Sequence, residues 1–243
     1  MCSNYTPPKP ASLQDCFGVT SPAAAFKAEA YPGYMAPIIR LADDGSGAVE
    51  CVSACFGMVP HWAALKLARH TYNARTETVA AKPSFRHAFA RHQFCIIPAE
   101  SFFEPSYESG QAVRWKLSRF DDAPLGIAGI WEWRPNGGPE DQPLVSFSML
   151  TMNADTHALM RRFHQPQDEK RMLVVLDPSE YAAWLHTSTD QASRYFRPYP
   201  ASQLQAEPAP RTVARPKARP AKKPAVSRPE PEGFRSLWES SDD

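Results

Sequence analysis

Between Phe94 and Leu176 the chain carries five short runs rich in β-branched and aromatic residues: FCIIPAESFFEPSY, VRWKLSRF, LGIAGIWEWR, LVSFSMLTM and RMLVVL. Pro, Gly and Asp bound these runs, as they bound strands. Most runs follow one another with no helix between them. Parallel strands need helical crossovers, so this order predicts an α+β domain with a curled, mainly antiparallel β core flanked by helices. Helical segments are expected at ASLQDCFG, PSFRHAFARH, ADTHALMRRF and DPSEYAAWLHTS. In the last, Asp177 is placed to cap the helix and Pro178 to occupy its first position. Neither GxGxxG nor GxxxxGK[ST] occurs, so nothing in the sequence supports a nucleotide cofactor.

Proline, 25 of 243 residues, is about twice its usual share of roughly 5%. Its distribution divides the chain. Residues 201–243 hold 7 of the prolines, 8 basic residues and 6 acidic ones, and Arg211 to Arg228 carries seven cations and no acid. Such a segment cannot bury enough apolar surface to offset its chain entropy. It is expected to be a disordered tail, with Phe234-Arg-Ser-Leu237-Trp238 as a docking motif for a replication or repair protein. Residues 1–200, with 19 of the 27 basic and 20 of the 26 acidic residues, are expected to form one domain. A formal net charge of +1 argues against a nucleic-acid binder held by bulk electrostatics.

The longest apolar stretches, such as Met172–Leu176, fall far short of the roughly 20 residues that span a bilayer. MCSNYTPPKP lacks the apolar core of a secretory signal, so a cytoplasmic protein without a membrane partner is expected. The five cysteines (Cys2, Cys16, Cys51, Cys55, Cys95) are odd in number and spread out. Free thiols are expected, and no metal site or other cofactor.

Four features carry chemistry. Loss of Met1 would leave Cys2 with an α-amine and a thiol on one residue. An α-amine has a pKa near 7.7–8.0, so part of it is neutral at physiological pH and can form an imine with an aldehyde. The adjacent thiol can then close a five-membered thiazolidine ring. Thr71-Tyr-Asn73-Ala-Arg75-Thr-Glu77-Thr brings an amide, a guanidinium and a carboxylate together and reads as a loop beside a pocket. Glu104 follows an apolar run among aromatics, where a carboxyl can serve as general acid and base. His164, at an element junction, is suited to proton transfer. Each feature taken alone also fits a plain structural role.

Their order along the chain resembles the SRAP domain family (SOS-response-associated peptidase). The landmarks are Met1-Cys2; Tyr31-Pro-Gly33-x-x-Ala36-Pro37; Gly57-Met-Val-Pro60-x-Trp62; Asn73-Ala-Arg75-x-Glu77-Thr78; Phe85-Arg86; Ile97-Pro98-Ala99 with Phe103-Glu104; Gly129-Ile130-Trp131-Glu132; and His164 before Arg171-Met172. The resemblance implies an abasic-site processing protein acting on single-stranded DNA through a covalent thiazolidine crosslink, with autoproteolytic loss of Met1 and peptidase- or lyase-like reversal. It implies Cys2 as nucleophile, Glu104 and His164 in proton transfer, and Asn73 on the N-terminal residue and the deoxyribose. Arg75 and Arg86 would bind phosphates, with Trp62 against a base. The chain departs from the family pattern at Ser3-Asn4, where Gly-Arg is usual. It departs again where a short His-x-Arg-Met-Pro segment is stretched to His164-QPQDEK-Arg171-Met172, leaving Arg162 and Arg171 as alternative DNA-binding counterparts. A non-covalent single-strand-binding module is the alternative function.

Overall fold

The computed structural model describes residues 2–211. The expected tail disorder beyond residue 211 and the Phe234–Trp238 motif lie outside the described residues. In chain order the strands are β1 (Tyr5–Thr6), β2 (Met35–Leu41), β3 (Val49–Phe56), β4 (Asn73–Arg75), β5 (Phe94–Ala99), β6 (Ser101–Ser106), β7 (Val113–Arg119), β8 (Leu125–Arg134), β9 (Leu144–Asn153), β10 (Arg171–Leu173), β11 (Val175–Leu176) and β12 (Leu204–Pro208). The helices are α1 (Pro10–Phe17), α2 (Arg86–Ala90) and α3 (Tyr181–Leu185).

Strands β9, β3, β2, β5 and β8 pair in that order, and β8 pairs back onto β9, closing the sheet on itself. All named pairings are antiparallel except β3 with β9 and β4 with β9. This is the curled, mainly antiparallel core expected. A second sheet, in the order β1-β6-β7-β12, is reached through Glu100, the single residue between β5 and β6.

Period-two alternation sends successive side chains of one strand into different cores. From β5, Cys95 and Ile97 enter the cluster that holds Cys2, Tyr5, Phe56 and Phe147. Phe94 and Ile96 enter the cluster covered by Leu13 of α1, Phe89 of α2 and Trp184 of α3. The last helical segment begins as expected: Asp177 accepts from the Ser179 N–H in a capping box and Pro178 opens the turn.

Three expectations need correction. ADTHALMRRF forms only a single 3₁₀ turn, Met160–Arg162. The His157 ring accepts the N–H groups of Leu159 (3.2 Å) and Met160 (2.9 Å), diverting the donors an α-helix would use. The Asn73–Arg75 segment is a strand rather than a loop, paired in parallel with β9. Strands β2 and β3 give weak local signals because Pro37 interrupts one and Glu50 and Ser53 dilute the other. Pro37 is accommodated opposite Ser53, outside the Ile39–Arg40 stretch where β2 also pairs with β5. Lastly, residues 1–210 form one compact unit, so order extends past the expected boundary at 200. Residues 204–208 pair with β7 from Leu204 opposite Arg119 to Pro208 opposite Trp115, and Leu204 is buried.

One backbone position is fixed by close approach. Gly57 has φ +109, and a Cβ there would lie 2.1 Å from the Ala68 carbonyl oxygen.

Losing β12 exposes a strand edge and a buried leucine. A chain ending at residue 200 is therefore expected to melt at least about 4 °C below one ending at residue 211, equivalent to about 1–2 kcal/mol for a domain of this size. Scanning calorimetry of the two chains checks this, and equal midpoints would show that β12 contributes nothing.

Candidate active site

The N-terminal segment is built into the fold. Tyr5 pairs with Phe102 and Thr6 with Ser101, and the Phe103 N–H donates to the Asn4 carbonyl at 3.1 Å. That register runs the preceding residues alongside Glu104. Cys2 is 1% exposed; its thiol donates to the Asn4 carbonyl (3.3 Å), and Asn73 Nδ2 donates to the Cys2 carbonyl (2.8 Å). Asn4 does not project into solvent. Its Nδ2 donates to Glu29 (2.9 Å) and its Oδ1 accepts from Arg114 Nη2 (2.8 Å), which also donates to Glu29 (2.8 Å). Arg114 in turn lies 3.4 Å over the Phe103 ring.

Glu104 shares the Phe102 face of β6 and is therefore buried in the core beside Cys2. His164 Nε2 is 2.9 Å from Glu104 Oε2, and both side chains are buried. His164 has φ +64, a left-handed conformation that histidine tolerates better than most residues. It is held by its own N–H donating to the Pro105 carbonyl (2.8 Å) and by the bridge between Phe163 and Ser106.

His164 of this pair lines a cleft of about 360 Å³, together with Tyr72, Arg75, Tyr107, Glu169 and Arg171. Sequence reading assigned no role to Tyr72, Glu29, Arg114 or Glu169. Only Tyr72, adjacent to Asn73, had a local signal. The structure brings Cys2, Asn73, Glu104 and His164 together, with Arg75 at the cleft. Arg171 is buried, its guanidinium held by Glu77 (2.8 and 3.2 Å), Glu169 (2.6 Å) and the Thr151 carbonyl (2.8 Å). Arg162 forms a two-bonded pair with Glu108 (2.8 and 3.0 Å) and does not line the cleft. Arg86 is exposed at the start of α2. Trp62, 55% exposed, lines a separate apolar depression with Leu67 and His70.

Burial, and then the charge of Glu104, pushes the Cys2 thiol up to about 12, so it is protonated at neutral pH. The same causes act on Tyr72: burial first, then the charges of Cys2 and Glu104, raise its phenol. Tyr72 packs against the core cluster that holds Cys2 and lines the cleft. The five cysteines are all free. Among the described residues, no cluster of three or more His, Cys, Asp or Glu side chains could hold a metal ion, and no helix is long and apolar enough to cross a membrane.

Comparison with known proteins matches residues 1–216 to the family described as SOS response associated peptidase (SRAP). The Bacillus subtilis "abasic site processing protein YoqW" is 31% identical over 192 residues, covering 73% of this chain and 79% of the relative. The "abasic site processing protein YoaM" of the same organism is 30% identical over 190 residues, covering 74% and 78%. A crystal structure of a Bordetella bronchiseptica protein superposes with a TM-score of 0.77 at 36% identity, covering 86% of this chain and 99% of that one.

The raised thiols are expected to cost the fold stability at alkaline pH. Burial also lifts Cys55 to about 11. An unfolded cysteine ionises near 8.5, so above that pH the unfolded state loses protons the folded state keeps, and stability falls. The thermal midpoint is expected to hold to about pH 8 and then decline toward pH 11. Cys2→Ala should make the decline shallower. A midpoint that stays level to pH 11 would contradict the burial of these thiols.

Proposed function

Because the chain belongs to the SOS response associated peptidase (SRAP) family, we propose that it processes abasic sites in single-stranded DNA by forming a covalent thiazolidine crosslink through Cys2. The observation that carries this reading is the setting of Cys2: its carbonyl is held by Asn73, its buried thiol feels the charge of Glu104, and Glu104 is paired with His164, which lines a cleft. The names of the Bacillus relatives support the abasic site as target.

Hydrolysis of the Met1–Cys2 peptide bond releases methionine and frees the Cys2 α-amine. That amine adds to the aldehyde carbon of the ring-opened sugar, and loss of one water gives an imine. The Cys2 sulfur then bonds to the imine carbon. Its proton passes to the Glu104 carboxylate and returns to the ring nitrogen, so aldehyde and aminothiol become thiazolidine plus water. A buried, protonated thiol suits this order, because it gives up its proton only as the carbon–sulfur bond forms. His164, bonded to Glu104 and lining the cleft, holds the sugar and relays the proton. In reversal, protonated Glu104 returns the proton to sulfur. Asn73 fixes the Cys2 backbone, so both nucleophiles reach the same carbon. Arg75 is the cleft cation for a backbone phosphate, and Trp62 and Arg86 are outlying contacts for the strand. Arg171 acts indirectly, by anchoring Glu77 and Glu169.

A single-stranded oligonucleotide bearing one abasic site should give a heat- and detergent-stable shifted band. Its mass should equal protein without Met1 plus DNA less one water. Cys2→Ala should abolish the band. Cys2→Ala and Cys2→Ser both keep the α-amine once Met1 is removed, so each should give a product only after borohydride reduction. Equal crosslinking by Cys2→Ala would exclude the thiazolidine. Equal binding of damaged and undamaged strands with no covalent species would indicate a non-covalent module. In a second test, Glu104→Gln should slow crosslinking by about 10²-fold or more, the usual scale of a lost acid–base group. An unchanged single-turnover rate would remove Glu104 from the proton path.

A further inference from the structure

The segment 165–170, which lengthens the family's His-to-Arg spacing, returns a carboxylate to the cleft. Glu169 Oε2 is 3.2 Å from Arg75 Nη1, and its Oε1 is 2.6 Å from Arg171 Nη1. The two arginines differ in setting. Arg171 is buried and also held by Glu77, whereas the Arg75 side chain is 50% exposed at the cleft. Glu169 is thus anchored on a fixed cation and lies against the cation open to solvent. The segment carrying it is pinned at several points. The Lys170 N–H donates to Asp155 Oδ1 (2.9 Å), Lys170 Nζ donates to the His164 carbonyl (3.4 Å), and Asn153 Nδ2 donates to Glu169 Oε1 (3.4 Å).

Arg75 and Arg171 are matched by Glu77 and Glu169, and Asp168 adds a further acid to the lining. A phosphate approaching Arg75 meets a guanidinium already compensated. The pair is exposed and therefore weak, so a phosphate can displace it.

We propose that Glu169 is a specificity-determining residue: its carboxylate competes with DNA phosphates for Arg75, so a strand is seated only by displacing it. This inference rests on the reading of Arg75 as a phosphate ligand. The competition weakens every strand alike before chemistry. Only a strand with an aldehyde goes on to a covalent bond that no longer depends on that affinity. Lowering the general affinity thereby raises the ratio of lesion capture to idle binding.

The test compares wild type, Glu169→Gln, Arg75→Ala, the double variant and Asp168→Asn, all as full chains. Each is titrated with an undamaged oligothymidylate over a range of salt. Glu169→Gln should bind at least about 3-fold more tightly at low salt, roughly the effect of one added phosphate contact, with a log–log salt slope steeper by up to about 0.7. Glu169→Gln should give no gain in the Arg75→Ala background, and Asp168→Asn should give less than half the gain. The far-ultraviolet circular dichroism of Glu169→Gln should match that of wild type, so that its gain in affinity is read on a folded protein. Affinity equal to wild type, an equal gain without Arg75, or an equal gain from Asp168→Asn would each overturn the proposal. If wild type crosslinks and Glu169→Gln binds no tighter, this inference fails and the proposed function stands. If wild type forms no covalent product, the proposed function fails, and the titrations with undamaged strand still decide the role of Glu169.

Discussion

Two residue pairs, Tyr5 with Phe102 and Thr6 with Ser101, tie the N-terminus to the fold, and the candidate chemistry depends on them. A chain terminus ordinarily frays, and a two-residue strand has too few ladder bonds to hold itself. Here the pairing is reinforced from three sides. The Tyr5 ring is fully buried edge-on to Phe56, with centroids 5.3 Å apart. Glu29 and Arg114 clamp the Asn4 side chain, and Asn73 holds the Cys2 carbonyl. The same pairing aligns the terminus with β6, the strand that carries Glu104. The residue that would have a free α-amine is therefore held beside a carboxyl group, and positioning the N-terminus and assembling the site are one structural event.

Much of the architecture was legible where the signals are local. The runs that became β5 to β11 are apolar and closely punctuated, and the Asp177-Pro178 start of the last helical segment is written in adjacent residues. What was missed depends on distant partners. Strand β4 is three residues of polar character, held as a strand by parallel pairing with β9. Strand β12, LQAEP, is hidden by its proline-rich surroundings and is ordered by the exposed edge of β7. ADTHALMRRF has helical composition, but the His157 ring takes its backbone donors. The site shows the same division. Cys2, Asn73, Glu104 and His164 were each visible as residues able to do chemistry, yet Glu104 and His164 are 60 positions apart, and only their order along the chain linked them. Arg114 and Glu29, 85 positions apart and with no motif around either, had nothing to join them before the fold did.

Near-neutral charge takes on a different meaning once the fold is known. The domain has plenty of arginines, but many are already matched: Arg40 with Glu50, Arg114 with Glu29, Arg119 with Asp121, Arg162 with Glu108, Arg171 with Glu77 and Glu169. Net charge is therefore a poor guide to what the surface offers a polyanion. What matters is which guanidinium remains exposed, and what occupies it. At the cleft that group is Arg75, and its occupant is Glu169.

The burial of Cys2 has a corresponding consequence for the order of events. A thiol pushed up to about 12 is a poor nucleophile on its own, because so little of it is thiolate near neutrality. An α-amine, by contrast, is substantially neutral in the same range. In the proposed reaction the amine therefore attacks first, and the thiol becomes competent only when an electron-poor imine carbon and the Glu104 carboxylate lie on either side of it. The environment that makes Cys2 inert toward stray electrophiles also makes its sulfur dependent on an aldehyde already bound to the same residue. A buried thiol is thus compatible with catalysis here, where in a conventional cysteine nucleophile it would argue against it.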